Sequence, residues 1–298
     1  MHDENHHHGL AHDLEVLGQM VAERRRALRW LGVGSLAPLG LLACGGGDSA
    51  STTSTSTATG STTTTDTSST GTSTTTTGSC GNTTTIASET NGPYPADGTN
   101  TLNGSTVNAL TLSGIVRSDI RSSIVSSSTT AAGVLLTVTL TLVNTNSSCA
   151  ALSGYAVYLW HCTRDGLYSM YSSGVTGENY LRGVQISDSN GSVTFTTIFP
   201  GCYSGRMPHI HFEVYASQTA ATTTPAGDQV RTSQIALPRD VCSAVYATTG
   251  YSASVANLAA ITFATDNVFS DGTSTELATV TGSASAGYAA TLTVGLAV

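Results

Sequence analysis

Residues 48–79 set the first limit on the fold. The run is almost wholly Ser, Thr and Gly, as in STTSTSTATGSTTTTDTSSTGTSTTTTG over 51–78. It has no apolar periodicity, so no core can offset the entropy of ordering it. Residues 45–79 therefore read as a disordered linker, a spacer rather than a glycosylated stalk. A packed domain is confined to residues 80–298.

Upstream of the linker, residues 23–47 read ERRRALRWLGVGSLAPLGLLACGGG. Arg24, Arg25 and Arg26 precede a short apolar run that ends in small residues, the layout of a bacterial export signal. The run is too short, and too broken by Gly and Pro, to span a membrane comfortably as a helix. The arginines suggest the twin-arginine route. The LLAC stretch resembles a lipobox, which makes Cys44 the expected lipidation site. Residues 1–44 are thus expected to be an export signal. The mature protein would be lipid-anchored in the cell envelope or periplasm, or at the cell surface.

From about Cys80 onward, short apolar-alternating runs are separated by Gly, Asn, Asp and Ser. VLLTVTLTLV (134–143), YAVYLWHC (155–162), SVTFTTIF (192–199), HIHFEVY (209–215) and ATLTVGLAV (290–298) all have strand patterning. Val, Ile, Thr and Tyr dominate them, as strand propensity prefers. DSNG (188–191) is a turn signal, and the one helical pattern is a weak one near 251–261. The expected fold is all-β, most simply a two-sheet β-sandwich. A chain that is 39% hydrophobic can build such a core. It contains no lysine and has a net charge of −8, which argues against nucleic acid and against binding anionic lipid headgroups. The six cysteines fit no CxxC zinc or redox spacing.

Five of the eight histidines lie in the first twelve residues; only His161, His209 and His211 follow. In a strand, residues i and i+2 share a face. His209 and His211 therefore form a potential two-imidazole metal site, while Ile210 points the other way. H-x-H alone is weak evidence. Tyr203 precedes it in a turn sharpened by Pro200 and Gly201, and Tyr168 lies just past another expected strand. Tyrosinate is a hard anionic oxygen donor that suits ferric iron better than zinc or copper(I). Two of them would balance much of the ferric charge. His161 reads as a packed or hydrogen-bonded histidine, and Arg182 as structural. Cys162 and Cys202 lie near the ligand-bearing loops, where export would tend to oxidise them.

VYLWHCTRDGLYSMYSSG, ENYLRGVQISDSNGSVTFTTIFPGCYSGRMPHIHFEVY and TSQIALP together resemble the intradiol ring-cleavage dioxygenases, the protocatechuate and catechol dioxygenase group. The resemblance is strongest over 154–215 and extends more loosely from ETNGPYP (89–95) to TSQIALP (232–238). It implies a non-haem Fe(III) cofactor held by Tyr168, Tyr203, His209 and His211. It implies Arg206 and Gln234 as pocket residues, with Tyr94 a further substrate contact. The implied reaction cleaves a catechol-type ring between its two hydroxyl-bearing carbons with O2, giving a cis,cis-muconate-type product. Tyr203 would act as a base and Arg206 would stabilise developing charge. The family's helical N-terminal segments, which support oligomers, are replaced here by the tether, so the oligomeric state does not carry over. Two rivals use less of the pattern: a zinc or copper protein, hydrolytic or metal-binding, using only His209 and His211, and a carbohydrate-binding surface module on a stalk.

Overall fold

The computed structural model describes residues 83–223 and 228–298. The export signal, Cys44 and the linker lie outside the described residues.

The described part is mostly β. Eleven strands run β1 (Asp97–Leu102), β2 (Ser105–Asn108), β3 (Leu135–Asn144), β4 (Ala150–Ala151), β5 (Ala156–Trp160), β6 (Arg182–Ile186), β7 (Ser192–Ile198), β8 (His209–Tyr215), β9 (Arg231–Ala236), β10 (Thr279–Ser283) and β11 (Gly287–Leu296). Short helices α1 (Gln218–Thr223), α2 (Arg239–Tyr246) and α3 (Ser252–Ala259) follow β8 and β9. All five expected strands form, and α3 occupies the weak helical pattern. Strands β1, β2, β4, β6, β9 and β10 are additional: they are short and their alternation is poor. The DSNG turn forms as expected, with Asp188 Oδ1 accepting the amides of Asn190 and Ser192.

Strands β1 and β2 form a small sheet of their own; of the two larger sheets, one has the order β10-β11-β3-β4 with β7 also paired to β3, and the second has the order β6-β5-β8-β9. Their facing sides make the main core. Leu136, Val138, Leu140 and Leu142 of β3 and Phe195 of β7 meet Val157 and Leu159 of β5 and Ile210, Phe212 and Val214 of β8. This is the expected two-sheet sandwich.

The second sheet is covered on its other side as well. Every residue of β5 and β8 is buried. A second apolar cluster joins Tyr158, Trp160 and Tyr215 to Ala96, Val107, Ala109, Leu110 and Ile115 of the preceding segment. Strands buried on both faces read as continuous apolar runs, as YAVYLWHC does. In β8 the residues facing this covering layer are His209, His211, Glu213 and Tyr215. A set of polar groups is therefore held in a dry layer between a sheet and its cover.

Candidate active site

Strand β8 carries His209 and His211 on one face, in register with Ala236 and Gln234 of β9. Their Nε2 atoms lie 3.1 Å apart. His209 Nδ1 is 2.6 Å from the carbonyl oxygen of Met207, so Nδ1 carries the proton and Nε2 the free lone pair. His211 is paired across the ladder with Trp160 of β5, and the two rings stack with centroids 4.9 Å apart and planes 4° apart. Both imidazoles are held well below their ordinary pKa, by burial first and then by nearby positive charge, that of Arg206 at His209. Both rings are neutral and able to act as ligands.

Two irregular loops bring the tyrosines to the same place. The loop after β5 runs beside the loop before β8, where the Gly201 amide donates to the Thr163 carbonyl. Gly166, at φ +82°, is the close point: a Cβ there would lie 3.0 Å from Cβ of Tyr203. The Tyr203 hydroxyl lies 3.2 Å from His209 Nε2. Tyr168 sets its ring edge-on to both Tyr203 and His211, at centroid distances of 5.9 and 6.3 Å. Its hydroxyl is enclosed and has no partner of hydrogen-bonding geometry. Burial, then the neighbouring Tyr203, raises the Tyr168 pKa well above the usual phenol value. The hydroxyl of nearby Tyr171 is fully committed: it donates to Asn100 Oδ1 and accepts the Ala96 amide.

These four side chains could hold a metal ion. An orphaned buried phenol is costly unless something meets it. Donor spacings of 3.1 and 3.2 Å suit ligands that each sit about 2.1 Å from one ion. Tyr168, His209 and His211 are buried, and only Tyr203 is half-exposed. Among the described residues, no group of three or more His, Cys, Asp or Glu side chains could hold a metal.

Arg206 is 6% exposed and lies beside the tyrosines and histidines. Its Nε donates to both oxygens of Asp266, at 3.2 and 3.0 Å, and its Nη2 donates to Gln234 Oε1 at 2.7 Å. Burial lowers its pKa, but Tyr203 and Asp266 outweigh that and the net shift is upward, so Arg206 stays charged. Gln234 in turn donates to the Thr90 carbonyl. Tyr94 is half-buried and packs on Tyr168 and Tyr171, with centroids 5.0 and 5.2 Å apart. All of the sequence-designated pocket residues in the described part come together.

His161 is a buried packing residue, with Nδ1 on the Cys162 carbonyl and Nε2 on the Thr197 hydroxyl; burial pushes its pKa down to about 4. Arg182 is a buried clamp. Its guanidinium donates to the carbonyls of Tyr94, Pro95 and Ser169, to the Tyr158 hydroxyl and to Ser169 Oγ, tying the Tyr94 and Tyr168 segments together. Cys162, Cys202 and Cys242 are free thiols, against the expectation that export would oxidise the first two; each is buried out of reach of oxidants. Cys149 is in a disulfide, and its partner lies outside the described residues.

Sequence reasoning missed Asp266, Phe269, Trp160 and Gly92. Gly92, at φ +71°, lies against the edge of His211, where a Cβ would be 3.2 Å from Cε1. The GPYP stretch carried a local signal for Gly92; nothing local marks Asp266.

Residues 118–236 match a family model described as Dioxygenase. The match contains Tyr168, Tyr203, Arg206, His209, His211 and Gln234. No curated protein matches the chain. Among solved structures the chain is similar to an intradiol ring-cleavage dioxygenase from Tetranychus urticae, at 23% identity, covering 72% of this chain and 94% of that one, with a TM-score of 0.51. The dioxygenase domain of a dioxygenase carbohydrate-binding protein fusion from Streptomyces sp. SirexAA-E matches at 24% identity over 67% of this chain and 98% of that one, TM-score 0.41. A 3-chlorocatechol 1,2-dioxygenase from Rhodococcus opacus 1CP matches at 16% identity over 71% of each chain, TM-score 0.42. The Tetranychus structure shows a shared fold. The family match bears out the resemblance to intradiol ring-cleavage dioxygenases, and with it an oxidoreductase of dioxygenase type.

Proposed function

We propose that this protein is a non-haem Fe(III)-dependent intradiol dioxygenase. It opens a catechol-type ring between the two hydroxyl-bearing carbons, consuming O2 and giving a cis,cis-muconate-type dicarboxylate. The observation that carries the reading is the convergence of two phenols on two neutral imidazoles, with the Tyr168 hydroxyl buried and unpartnered. In this reading Tyr168, Tyr203, His209 and His211 hold the iron. Bound ferric iron supplies a Lewis acid and a template for ring and O2.

The chain's own groups do the rest. Tyr203 is the one half-exposed donor, so its phenolate oxygen can turn to an arriving catechol and take a hydroxyl proton. Arg206 places a fixed positive charge beside the ring as negative charge develops there. Gln234 is oriented by Arg206 and Thr90, and presents its amide next to His211. Tyr94 flanks the approach with its ring. Trp160, Gly92 and Phe269 wall the imidazoles off from water, which strengthens every charge interaction inside.

Residues 1–44 act as a twin-arginine export signal in this proposal. Cys44 carries the lipid, 45–79 tether the domain, and the enzyme works outside the cytoplasm. The disulfide at Cys149 fits an oxidising compartment.

The test is a visible absorption spectrum of the purified, ferric-loaded protein, with and without catechol under nitrogen. A broad tyrosinate-to-iron band that moves to longer wavelength with catechol, followed by uptake of one O2 per catechol in air, is the expected result. A protein that stays colourless after ferric loading sinks the proposal. Tyr203→Phe is expected to weaken the colour and to lower turnover about 100-fold, the usual scale for a general base.

A further inference from the structure

Asp266 lies 60 residues past Arg206 in sequence and is fully buried. It sits between two short 3-10 turns, Phe263–Thr265 and Phe269–Asp271. Its carboxylate is saturated from both sides. Oδ1 accepts the amides of Val268 and Phe269, at 2.8 and 3.1 Å, which fixes the carboxylate on its own turn. Oδ2 accepts the Met207 amide at 2.6 Å, and both oxygens accept Arg206 Nε. A carboxylate held by its own backbone cannot swing, so a guanidinium held by it cannot swing either. Phe269 completes the brace: its ring lies under the Arg206 guanidinium at 5.6 Å and edge-on to His209 at 6.4 Å.

Arg206 has a long flexible stem whose rotamer freedom must be quenched before its guanidinium can hold a fixed position. With Nε on Asp266 and Nη2 on Gln234, that freedom is removed before any ligand arrives, and Nη1 makes no hydrogen bond among the described residues. We propose that Asp266 is a positioning residue that holds the Arg206 guanidinium, Nη1 foremost, in place for an anionic catecholate. The inference rests on the reading of Arg206 as a substrate-facing residue of a catechol dioxygenase.

A double-mutant cycle on the full ferric-loaded protein tests it. Asp266→Asn is combined with Arg206→Gln, whose amide can still reach the carboxylate. Two quantities are read: kcat/KM for catechol, and Kd for 4-nitrocatechol by calorimetry under nitrogen. Asp266→Asn is expected to lower kcat/KM at least 10-fold and to weaken nitrocatechol at least 5-fold when Arg206 is intact, but to change either less than 2-fold in the Arg206→Gln background. Equal losses in both backgrounds, or no loss in either, overturn the positioning role. If Asp266→Asn does not fold, Asp266→Ser keeps an oxygen for the Val268 and Phe269 amides and takes its place in the cycle. If the wild type binds nitrocatechol without cleaving catechol, the dioxygenase reading falls and the Kd cycle alone decides the role of Asp266. If the wild type does not bind nitrocatechol, both fall.

Discussion

The two sheets pack the same kind of inner face against each other and differ in what lies outside. Strand β3 alternates buried Leu and Val with partly open Thr137, Thr139 and Thr141. The partner threonines Thr194, Thr291 and Thr279 continue that polar face across β7, β11 and β10. Hydroxyls there bond to each other or to water, as Thr139 does with Thr194. Strands β5 and β8 have no such freedom. Their outer residues are sealed under the 94–115 segment, so every polar group on that side needs a specific partner. A ligand site gains from this dryness, since charges interact more strongly out of water. The cost is dependence on clamps such as Arg182 and Asp266.

The largest test of that contrast is Arg182→Met. It leaves the Tyr94 and Ser169 carbonyls without the Arg182 donor, while the Pro95 carbonyl keeps the Tyr158 hydroxyl, and unmet buried groups cost about 1–3 kcal/mol each. We expect a loss of about 3 kcal/mol or more in urea unfolding, together with weaker iron retention. A loss below about 1 kcal/mol, the low end of that range, would mean that the cover is not what the sheet depends on.

Inner-face substitutions are expected to hit both sheets alike. Leu140→Ala on β3 and Phe212→Ala on β8 each remove a fully buried side chain, worth about 2–5 kcal/mol. A difference of more than about 2 kcal/mol between them, by urea melts, would contradict a shared core.

The dry setting also creates a pH signature. Glu276 is buried beside β9, and its pKa is pushed up to about 8, by burial first and then by Glu89 and Asp271. The folded state binds its proton more tightly than the unfolded chain. Its favourable contribution is therefore complete below about pH 4.5 and is lost as pH rises through about 8. Thermal melts at about pH 5 and about pH 9, either side of that window, should show Glu276→Gln losing less stability between them than the wild type. An unchanged pH dependence would refute the assignment.

The smallest expected effect is on the open face. Thr139→Val and Thr291→Val should alter stability by no more than about 0.5 kcal/mol and leave catechol turnover unchanged. A loss of activity there would break the division of labour between the sheets.

How much of this was legible in the sequence follows from the same contrast. Alternation is a local, period-two property, so the strands showed in single runs: HIHFEVY coincides with β8, and LLTVTLTLVN is β3. The same period by itself puts His209 and His211 on one face. The pairing of Tyr168 with Tyr203 rested on family resemblance, because both sit on irregular loops where no periodicity operates. Strands β6 and β9 were missed, since RGVQI and RTSQIA are short and mix polar with apolar residues. Their polar members, Arg182 and Gln234, point into the dry layer, where polarity signals a clamp rather than a solvent face.

By itself the sequence determined an all-β fold and two imidazoles on one strand face. Tertiary structure alone decided that Trp160 backs His211 and that Gly92 closes over it. It also decided that Arg206 is held by Asp266. Those contacts join segments tens of residues apart, and the free energy that selects them is desolvation and packing in three dimensions. Neither leaves a mark on the local pattern of residues.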